Sequence, residues 1–164
     1  MLLTVAIALA ILVLPAGDAE AGGNGDYPPP SSGHWYIYQP TSVWSEAIEM
    51  QGSIYVYAPL TLNLVDLTMN CSWNLQFEIY VTSTGSLSFN NGNITASDTT
   101  YHYRFRTYNT TVIRNSEISE AYYGLEVFTK QFTLTDTKVF HMNSYGVSMS
   151  LVYTLTGDVL IEDN

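Results

Sequence analysis

A repeat of about two dozen residues, built from pairs of apolar residues, dominates the sequence. Residues 54–69 read IYVYAPLTLNLVDLTM, and residues 79–94 read IYVTSTGSLSFNNGNI. The two segments align without a gap, so Ile54 and Val56 recur as Ile79 and Val81. The members of each pair lie two positions apart, which is the period of a β-strand with one buried face. Stacked coils of strands and turns produce such repeats.

The apolar pairs recur in two columns along the rest of the chain. The first column contains Ile54/Val56, Ile79/Val81, Tyr103/Phe105, Leu125/Val127 and Val147/Met149. The second column contains Leu62/Leu64, Leu87/Phe89, Thr111/Ile113, Phe132/Leu134 and Val159/Ile161. A polar residue follows each second-column pair, at Asp66, Asn91, Asn115, Asp136 and Asp163, and an apolar residue then returns at Met69, Ile94, Ile118 and Val139. Because no helical period appears after residue 21, the columns predict an all-β solenoid whose strands pair in parallel, about 4.8 Å apart.

These strand and turn units resemble a known family. The pattern apolar-x-apolar-x-Asn/Asp-x-x-apolar, together with YGLEV at 123–127 and YGVSM at 145–149, is similar to the repeats of right-handed parallel β-helix proteins. Pectate lyases, polygalacturonases and many carbohydrate-binding and sugar-hydrolase proteins share such repeats. The resemblance implies a secreted, prokaryotic-type, right-handed parallel β-helix of about five rungs over residues 43–164. It specifies the fold and leaves the activity open.

The residues before the repeat predict export. Residues 2–14 are apolar except for Thr4, and Ala19-Glu20-Ala21 follows, which is typical of a signal peptide cleaved after residue 21. No Lys or Arg precedes the apolar run, so retention as a membrane anchor is the alternative. Residues 22–42, rich in Gly, Pro and Ser, predict a flexible lead-in. The alternative is that the aromatic cluster at its end, His34, Trp35, Tyr36 and Tyr38, begins a strand that covers one end of the core. We therefore expect an extracellular or cell-surface protein.

The end of the repeat and the net charge bear on partners. The sequence stops inside a motif at Asp163-Asn164, which predicts a β-helix truncated at its C-terminus that packs end to end on missing repeats or on another chain.

The formal net charge is −10, and without the predicted signal peptide thirteen acids face five bases. This balance argues against nucleic acid as a partner. Cys71 is the only cysteine, so no internal disulfide forms.

Two groups of polar residues are candidates for catalysis. Asp136 and Asp163 lie one rung apart, and carboxylates about 5 Å apart suit a retaining glycosidase. A calcium site formed by the same carboxylates is a second alternative, and the sequence otherwise predicts no cofactor. Recurrence of Asp or Asn at every rung favours a structural corner instead, because these side chains bond neighbouring backbone amides.

Arg104 and Arg106 depart from the repeat on the outward side of one strand. We expect Arg104 to lie between Tyr80 and Glu126, forming a cation-π contact and an ion pair. The resemblance implies an alternative role, since lyases of this family activate a proton beside a uronate with Arg or Lys. No cluster of acids is predicted on the neighbouring outward positions, which favours the structural role.

Outward tyrosines are the candidate ligand contacts. Tyr55 and Tyr80 recur on one face with Tyr57 beside them, and aromatic rings on a rigid sheet suit sugar rings. The histidines His34, His102 and His141 are scattered, which predicts no transition-metal site. The sequence thus favours a non-enzymatic structural or adhesive module that contacts polysaccharide or a cell-surface glycan. A polysaccharide lyase or glycoside hydrolase is the alternative.

Overall fold

The computed structural model describes residues 22–129, 131–149, 154–155 and 159–162, which form strands and turns and no helix. The predicted signal peptide (1–21) and Asp163 lie outside the described residues. Sheet 1 contains β1 (Gly22–Gly23), β3 (Thr41–Trp44), β6 (Pro59–Asn63), β9 (Ser86–Asn90), β12 (Thr111–Arg114), β15 (Phe132–Thr135) and β18 (Thr154–Leu155). Sheet 2 contains β4 (Ala47–Met50), β7 (Asp66–Met69), β10 (Asn93–Ala96), β13 (Glu117–Ser119), β16 (Thr137–Phe140) and β19 (Val159–Glu162). Sheet 3 contains β2 (Trp35–Ile37), β5 (Ile54–Val56), β8 (Glu78–Val81), β11 (Tyr103–Thr107), β14 (Ala121–Val127) and β17 (Val147–Met149).

The chain passes through sheets 3, 1 and 2 in each turn of the coil. Every described strand from β2 onward pairs in parallel with its equivalent in a neighbouring turn, whereas β1 pairs antiparallel with β3. The predicted pairing of Ile54 with Ile79 and of Val56 with Val81 is confirmed. The fold is a parallel β-solenoid of about five turns, as the repeat predicts.

The core runs along the axis of the solenoid between the three sheets. Alternate residues of each strand point inward and stack on their equivalents, as in the column Leu62, Phe89, Ile113 and Leu134. The largest fully buried side chains are aromatic, namely Tyr103, Phe89, Phe105 and Phe132. Burying one side chain of this size stabilises the folded state by about 1.5–3 kcal/mol, so the stacked columns stabilise the coil.

The gapless alignment of the first two copies is wrong in its second half. The turn between β5 and β6 contains residues 57–58, whereas the equivalent turn between β8 and β9 contains residues 82–85. The two extra residues shift the register, so Leu60 and Leu62 face Leu87 and Phe89, and Leu67 rather than Met69 faces Ile94. Leu64, predicted in the second column, is 54 % exposed.

Two further column assignments differ by the same kind of shift. Ile79 faces Phe105 rather than Tyr103, and in the next ladder the register between β11 and β14 shifts between Tyr103 and Phe105. Val159 and Ile161 pair with β16 of sheet 2, and β18 occupies their expected place in sheet 1. Variable turn lengths, which an apolar period of two does not reveal, cause both differences.

The coil begins before residue 43. Strand β2 lies inside the interval 22–42 that was interpreted as a flexible lead-in, and it pairs in parallel with β5. Trp35 and Ile37 are buried in the core, and the indole nitrogen of Trp35 donates to the Asp26 carbonyl at 2.6 Å. The alternative that the aromatic cluster begins a strand is therefore confirmed, and only the residues before it form the irregular lead-in to the coil.

The corner between sheets 1 and 2 is built by residues with left-handed backbone, namely Ser45, Leu64, Asn91, Asn115 and Asp136. Backbone amides at these corners donate to the last carbonyl of an adjacent sheet 1 strand, as from Leu64 to Asn90 and from Asn91 to Arg114, both at 3.0 Å. The predicted corner column is therefore correct at Asn91, Asn115 and Asp136 but wrong at Asp66, which begins β7 and accepts from Asn93 at 2.7 Å. The side chain of Asn91 donates to Asn63 instead of to another corner residue.

Leu64 is the corner residue least suited to its conformation, since left-handed backbone costs an L-residue about 1–2 kcal/mol and Asn tolerates it best. With φ at 55° and the side chain exposed, Leu64→Asn is expected to raise the free energy of unfolding by about 1 kcal/mol. Urea denaturation with an unchanged m-value measures this gain. Leu62→Asn, which places the same side chain in the core, must instead destabilise the fold.

Candidate functional site

The outward side of sheet 3 carries a continuous group of tyrosines, which we call the tyrosine face: Tyr36, Tyr38, Tyr55, Tyr57, Tyr80 and Tyr108. Because the strands pair in register, Tyr36, Tyr55 and Tyr80 occupy the same position in three successive turns. In the first two turns the rings stack nearly parallel, with centroids 5.3 Å apart for Tyr36 and Tyr55 and 5.2 Å apart for Tyr38 and Tyr57. The rings follow the axis of the solenoid at about the spacing of its strands.

The three predicted contact residues all lie in this face. Tyr55 and Tyr80 make an edge-to-face contact with centroids 6.2 Å apart, and both are half-buried, whereas Tyr57 is exposed. Tyr36 and Tyr38 complete the face but were missed, because they precede the recognised repeat. Tyr38 is the most exposed member, at 69 %. The alternation of Tyr36 and Tyr38 around buried Ile37 was the available signal.

Beyond the tyrosines, the same side of sheet 3 carries two arginine and glutamate pairs. Arg104 binds Glu126 in a bidentate pair, with Nε at 2.6 Å and Nη2 at 2.9 Å from the two carboxylate oxygens. Arg106 binds Glu78, with Nε 2.8 Å from Oε2 and Nη2 donating to Oε1 at 3.0 Å. The hydrogen bonds with Glu126 raise the pKa of Arg104 above its ordinary value. Both guanidinium charges are therefore balanced by adjacent carboxylates.

The structure corrects the predicted surroundings of Arg104. Arg106, not Arg104, occupies the position between Tyr80 and Glu126, and its guanidinium carbon lies 4.2 Å from the centre of the Tyr80 ring. Arg104 faces Glu78 across the ladder and reaches Glu126 through its side chain, so the predicted ion pair between Arg104 and Glu126 is confirmed and the predicted contact with Tyr80 is not. Besides the expected Glu126, Glu78 is a second acid beside these arginines. Neither arginine is available as an unpaired base or cation.

A cavity of about 270 Å³ lies where the tyrosine face meets these pairs. Its polar lining comprises His34, Ser53, Tyr55, Glu78, Arg104 and Arg106. Leu75, Gln76 and Phe77, from the turn before β8, form one wall. The cavity thus combines an aromatic ring with hydrogen-bond donors and acceptors.

The remaining predicted candidates lie elsewhere. Asp136 lies at the corner between sheets 1 and 2, beside a cavity of about 320 Å³ that Glu117 and Lys138 also line. Asp163, its proposed partner, is not among the described residues. Within the described ranges, no three His, Cys, Asp or Glu residues are arranged around a point that a metal ion would occupy.

Comparisons with known proteins leave the family open. No protein-family model matches the chain, and neither the curated proteins nor the solved structures contain a significant match. In the part of the chain that the structure describes, no helix is long and apolar enough to cross a membrane.

Proposed function

We propose that this chain is an exported, right-handed β-helix module of the pectate-lyase-like repeat type that binds polysaccharide without cleaving it. The observation that carries this proposal is the tyrosine face, whose rings continue from turn to turn along the axis. Tyr36, Tyr38, Tyr57 and Tyr108 are each at least 38 % exposed. Exposed aromatic residues grouped in this way are typical of a binding surface rather than of scattered surface residues.

The shape of the face favours an extended ligand. Parallel strands repeat about every 4.8 Å along a solenoid, so the stacked pairs Tyr36/Tyr55 and Tyr38/Tyr57 offer contacts to neighbouring units of a linear polymer. Ring carbons of tyrosine pack against the apolar faces of sugars, while the hydroxyl groups exchange hydrogen bonds with sugar hydroxyls. A polysaccharide lying along the axis would make several such contacts at once.

The charges favour a neutral sugar polymer over a uronate polymer. The chain carries a net charge of −10, and the arginines beside the face are bound to Glu78 and Glu126. Binding a uronate would require one of these carboxylates to release its guanidinium partner, which leaves a charge unpaired. Intact arginine and glutamate pairs instead offer both donors and acceptors to vicinal hydroxyl groups.

The enzymatic alternative has weaker support in the same residues. Arg104 and Arg106 are both engaged by carboxylates, and Asp136 occupies a corner position that recurs along the solenoid. Catalysis by these residues would require them to leave structural positions. Binding is therefore the function that the geometry favours.

The double variant Tyr36→Ala/Tyr38→Ala is expected to weaken binding of a neutral linear glycan about tenfold or more, because it removes two exposed contacts. Affinity electrophoresis against soluble neutral glycans and uronans measures the change. Tyr145→Ala is the matched control, since Tyr145 is 62 % exposed and lies outside the tyrosine face.

Three results would contradict the proposal. Wild-type protein that retains no glycan, or a double variant that binds as tightly as Tyr145→Ala, would show that the tyrosine face does not bind glycan. Release of reducing ends from any polysaccharide would show that the protein is an enzyme.

A further inference from the structure

The cavity of about 270 Å³ lies directly beside the tyrosine face and shares Tyr55 with it. Its lining residues His34, Ser53 and Phe77 immediately precede the sheet 3 strands β2, β5 and β8. These strands occupy three successive turns, so the cavity extends along the solenoid axis on the side of the face where the strands begin. A sugar polymer that lies along the rings of Tyr36 and Tyr55 would therefore have the cavity at its side.

The size of the cavity suits one group of a ligand rather than a whole ligand. Pockets that enclose a complete small molecule usually have volumes of about 300–1,000 Å³, and this cavity has about 270 Å³. A sugar that rests on Tyr55 could extend one substituent into the cavity without leaving the tyrosine face. The cavity is therefore placed to discriminate between glycans that share a backbone and differ in their substituents.

Hydrogen-bond donors are the more accessible groups on the polar side of the cavity. Glu126 accepts from two of the five N–H groups of the Arg104 guanidinium, and Glu78 pairs with the corresponding nitrogens of Arg106. The two arginine side chains are 33 % and 24 % exposed, whereas their carboxylate partners are 12 % and 16 % exposed. The N–H groups that the carboxylates do not use are therefore directed to a ligand more readily than the carboxylates are.

The ring of His34 adds a further donor. Its Nδ1 accepts a hydrogen bond from the backbone amide of Ser53 at 3.0 Å, so the proton of the neutral ring is on Nε2. Edge-to-face contacts with Tyr36 and Tyr55, with centroids 6.0 and 5.5 Å apart, hold the ring beside the tyrosine face. A ligand that offers an acceptor thus meets donors that are already in place, which lowers the entropic cost of binding.

An apolar wall completes the cavity. Leu75 and Phe77 belong to the turn before β8, and hydrogen bonds fix this turn to the chain around the start of β11. The Leu75 amide donates to the His102 carbonyl at 2.8 Å, and the Phe77 carbonyl accepts from the Arg104 amide at 3.0 Å. Leu75 is exposed, so the wall offers apolar surface to a ligand.

We propose that this cavity binds the acetyl group of an acetylated neutral glycan whose backbone lies on the tyrosine face. An acetyl group has a methyl group, which the wall of Leu75 and Phe77 covers, and a carbonyl oxygen, which accepts from the arginine and His34 donors. Burial of the methyl group and pairing of the carbonyl oxygen both favour binding. This inference rests on the proposed glycan-binding function and names the class of glycan.

Other common sugar substituents fit the same residues less well. A hydroxyl group has no apolar part that would cover Leu75 and Phe77. A carboxylate would place a further negative charge beside Glu78 and Glu126, whose charges already balance the two arginines. The acetyl group is neutral and has both an apolar part and an acceptor.

The larger cavity, of about 510 Å³, lies around the buried carboxylate of Glu120 and shares no residue with the tyrosine face. Nε2 of His102 and Nδ1 of His141 lie 3.3 and 3.5 Å from the oxygens of this carboxylate. The expectation that the histidines are scattered is therefore wrong for these two. A glycan on the tyrosine face has the smaller cavity, not this one, at its side.

Titration calorimetry of the full chain with two matched pairs of glycans tests the inference. Chitohexaose and cellohexaose share one backbone and differ in the acetamido group that replaces one hydroxyl of each sugar. Acetylated glucomannan and the same polymer after alkaline deacetylation differ only in acetate esters. We expect the acetylated member of at least one pair to bind at least about tenfold more tightly. The pair that shows the preference identifies the acetyl group as an amide or an ester.

The variant Leu75→Asn removes the apolar wall and is expected to abolish most of this preference. Asn tolerates the left-handed backbone of Leu75, at φ 62°, so the variant should fold, which far-UV circular dichroism checks. Leu64→Asn is the matched control, because Leu64 is also an exposed leucine with left-handed backbone and lies outside the cavity. Arg104→Lys keeps a charge beside Glu126 but loses the guanidinium donors, and should reduce the preference as well.

Equal or weaker binding of the acetylated member in both pairs would overturn the inference and leave the proposed glycan-binding function intact. A preference that is as strong in Leu75→Asn as in Leu64→Asn would also overturn it, because acetyl recognition would then lie elsewhere. Retention of no glycan at all by the wild-type chain would contradict the proposed function itself, and the inference with it.

Discussion

Replacing Phe89 with alanine is expected to lower the free energy of unfolding by about 3–5 kcal/mol. Phe89 is fully buried and faces Leu62 and Ile113 in the turns before and after it. The truncated side chain loses its burial and leaves a cavity that the neighbouring rungs cannot fill, because each rung is held in place by backbone ladders on both sides. The free energy of unfolding of a single domain is about 5–15 kcal/mol in total, so this loss is a large share of the stability.

Urea denaturation followed by tryptophan fluorescence measures the loss. Phe128→Ala provides the matched control, because Phe128 is only partly buried and stacks on Tyr108 at the surface. We expect the control to lose about 1 kcal/mol, within the ordinary range of single substitutions. Equal losses for the two variants would mean that the stacked core does not dominate stability.

Gly52→Ala is the second change with a large expected effect, about 3 kcal/mol of destabilisation. A Cβ at position 52 would overlap the main-chain carbonyl of Gly33 and lie 2.9 Å from the amide of His34. These are backbone atoms of the preceding turn, which cannot rotate away as a side chain would. Two rungs must separate at this point, so hydrogen bonds between β2 and β5 should be strained as well.

The variant Gly33→Ala distinguishes the steric clash at position 52 from the cost of placing alanine in left-handed backbone. Gly33 has φ at 86°, but a Cβ added there would have no neighbouring atom within 4 Å, so alanine costs only the conformational term, about 1–2 kcal/mol. Thermal unfolding of both variants gives the comparison. The interpretation fails if Gly33→Ala is the more damaging of the two.

The local period made the strands predictable, but it did not reveal the lengths of the turns. Ile54 and Ile79 were matched correctly because both lie in strands of the same sheet. Leu64 and Met69 were matched to the wrong partners because the turn 82–85 is two residues longer than its equivalent in the preceding copy. The error was not visible in the sequence, since an apolar residue two positions away fits the pattern equally well. Leu64 shows the consequence, since its side chain leaves the core although its residue type belongs there.

In the candidate sites, too, features within one strand were predictable and contacts between turns were not. Outward tyrosines were predictable from alternation within a strand, so Tyr55, Tyr57 and Tyr80 were found. Partners across turns were not, because they depend on register and on side-chain reach. Arg106 rather than Arg104 covers the Tyr80 ring, and Arg104 reaches Glu126 from the neighbouring position. His102, Glu120 and His141 lie up to 39 positions apart in the sequence and meet only because two turns stack.

The amino-acid sequence by itself therefore determined the strand period, the parallel stacking and the all-β class, because alternation of apolar residues is a local property that repeats at every turn. Tertiary structure alone decided which rungs face each other and which polar side chains meet. The physical reason is that register depends on the number of residues in each turn, and a shift of two residues keeps the same face inward while it exchanges every partner along the axis.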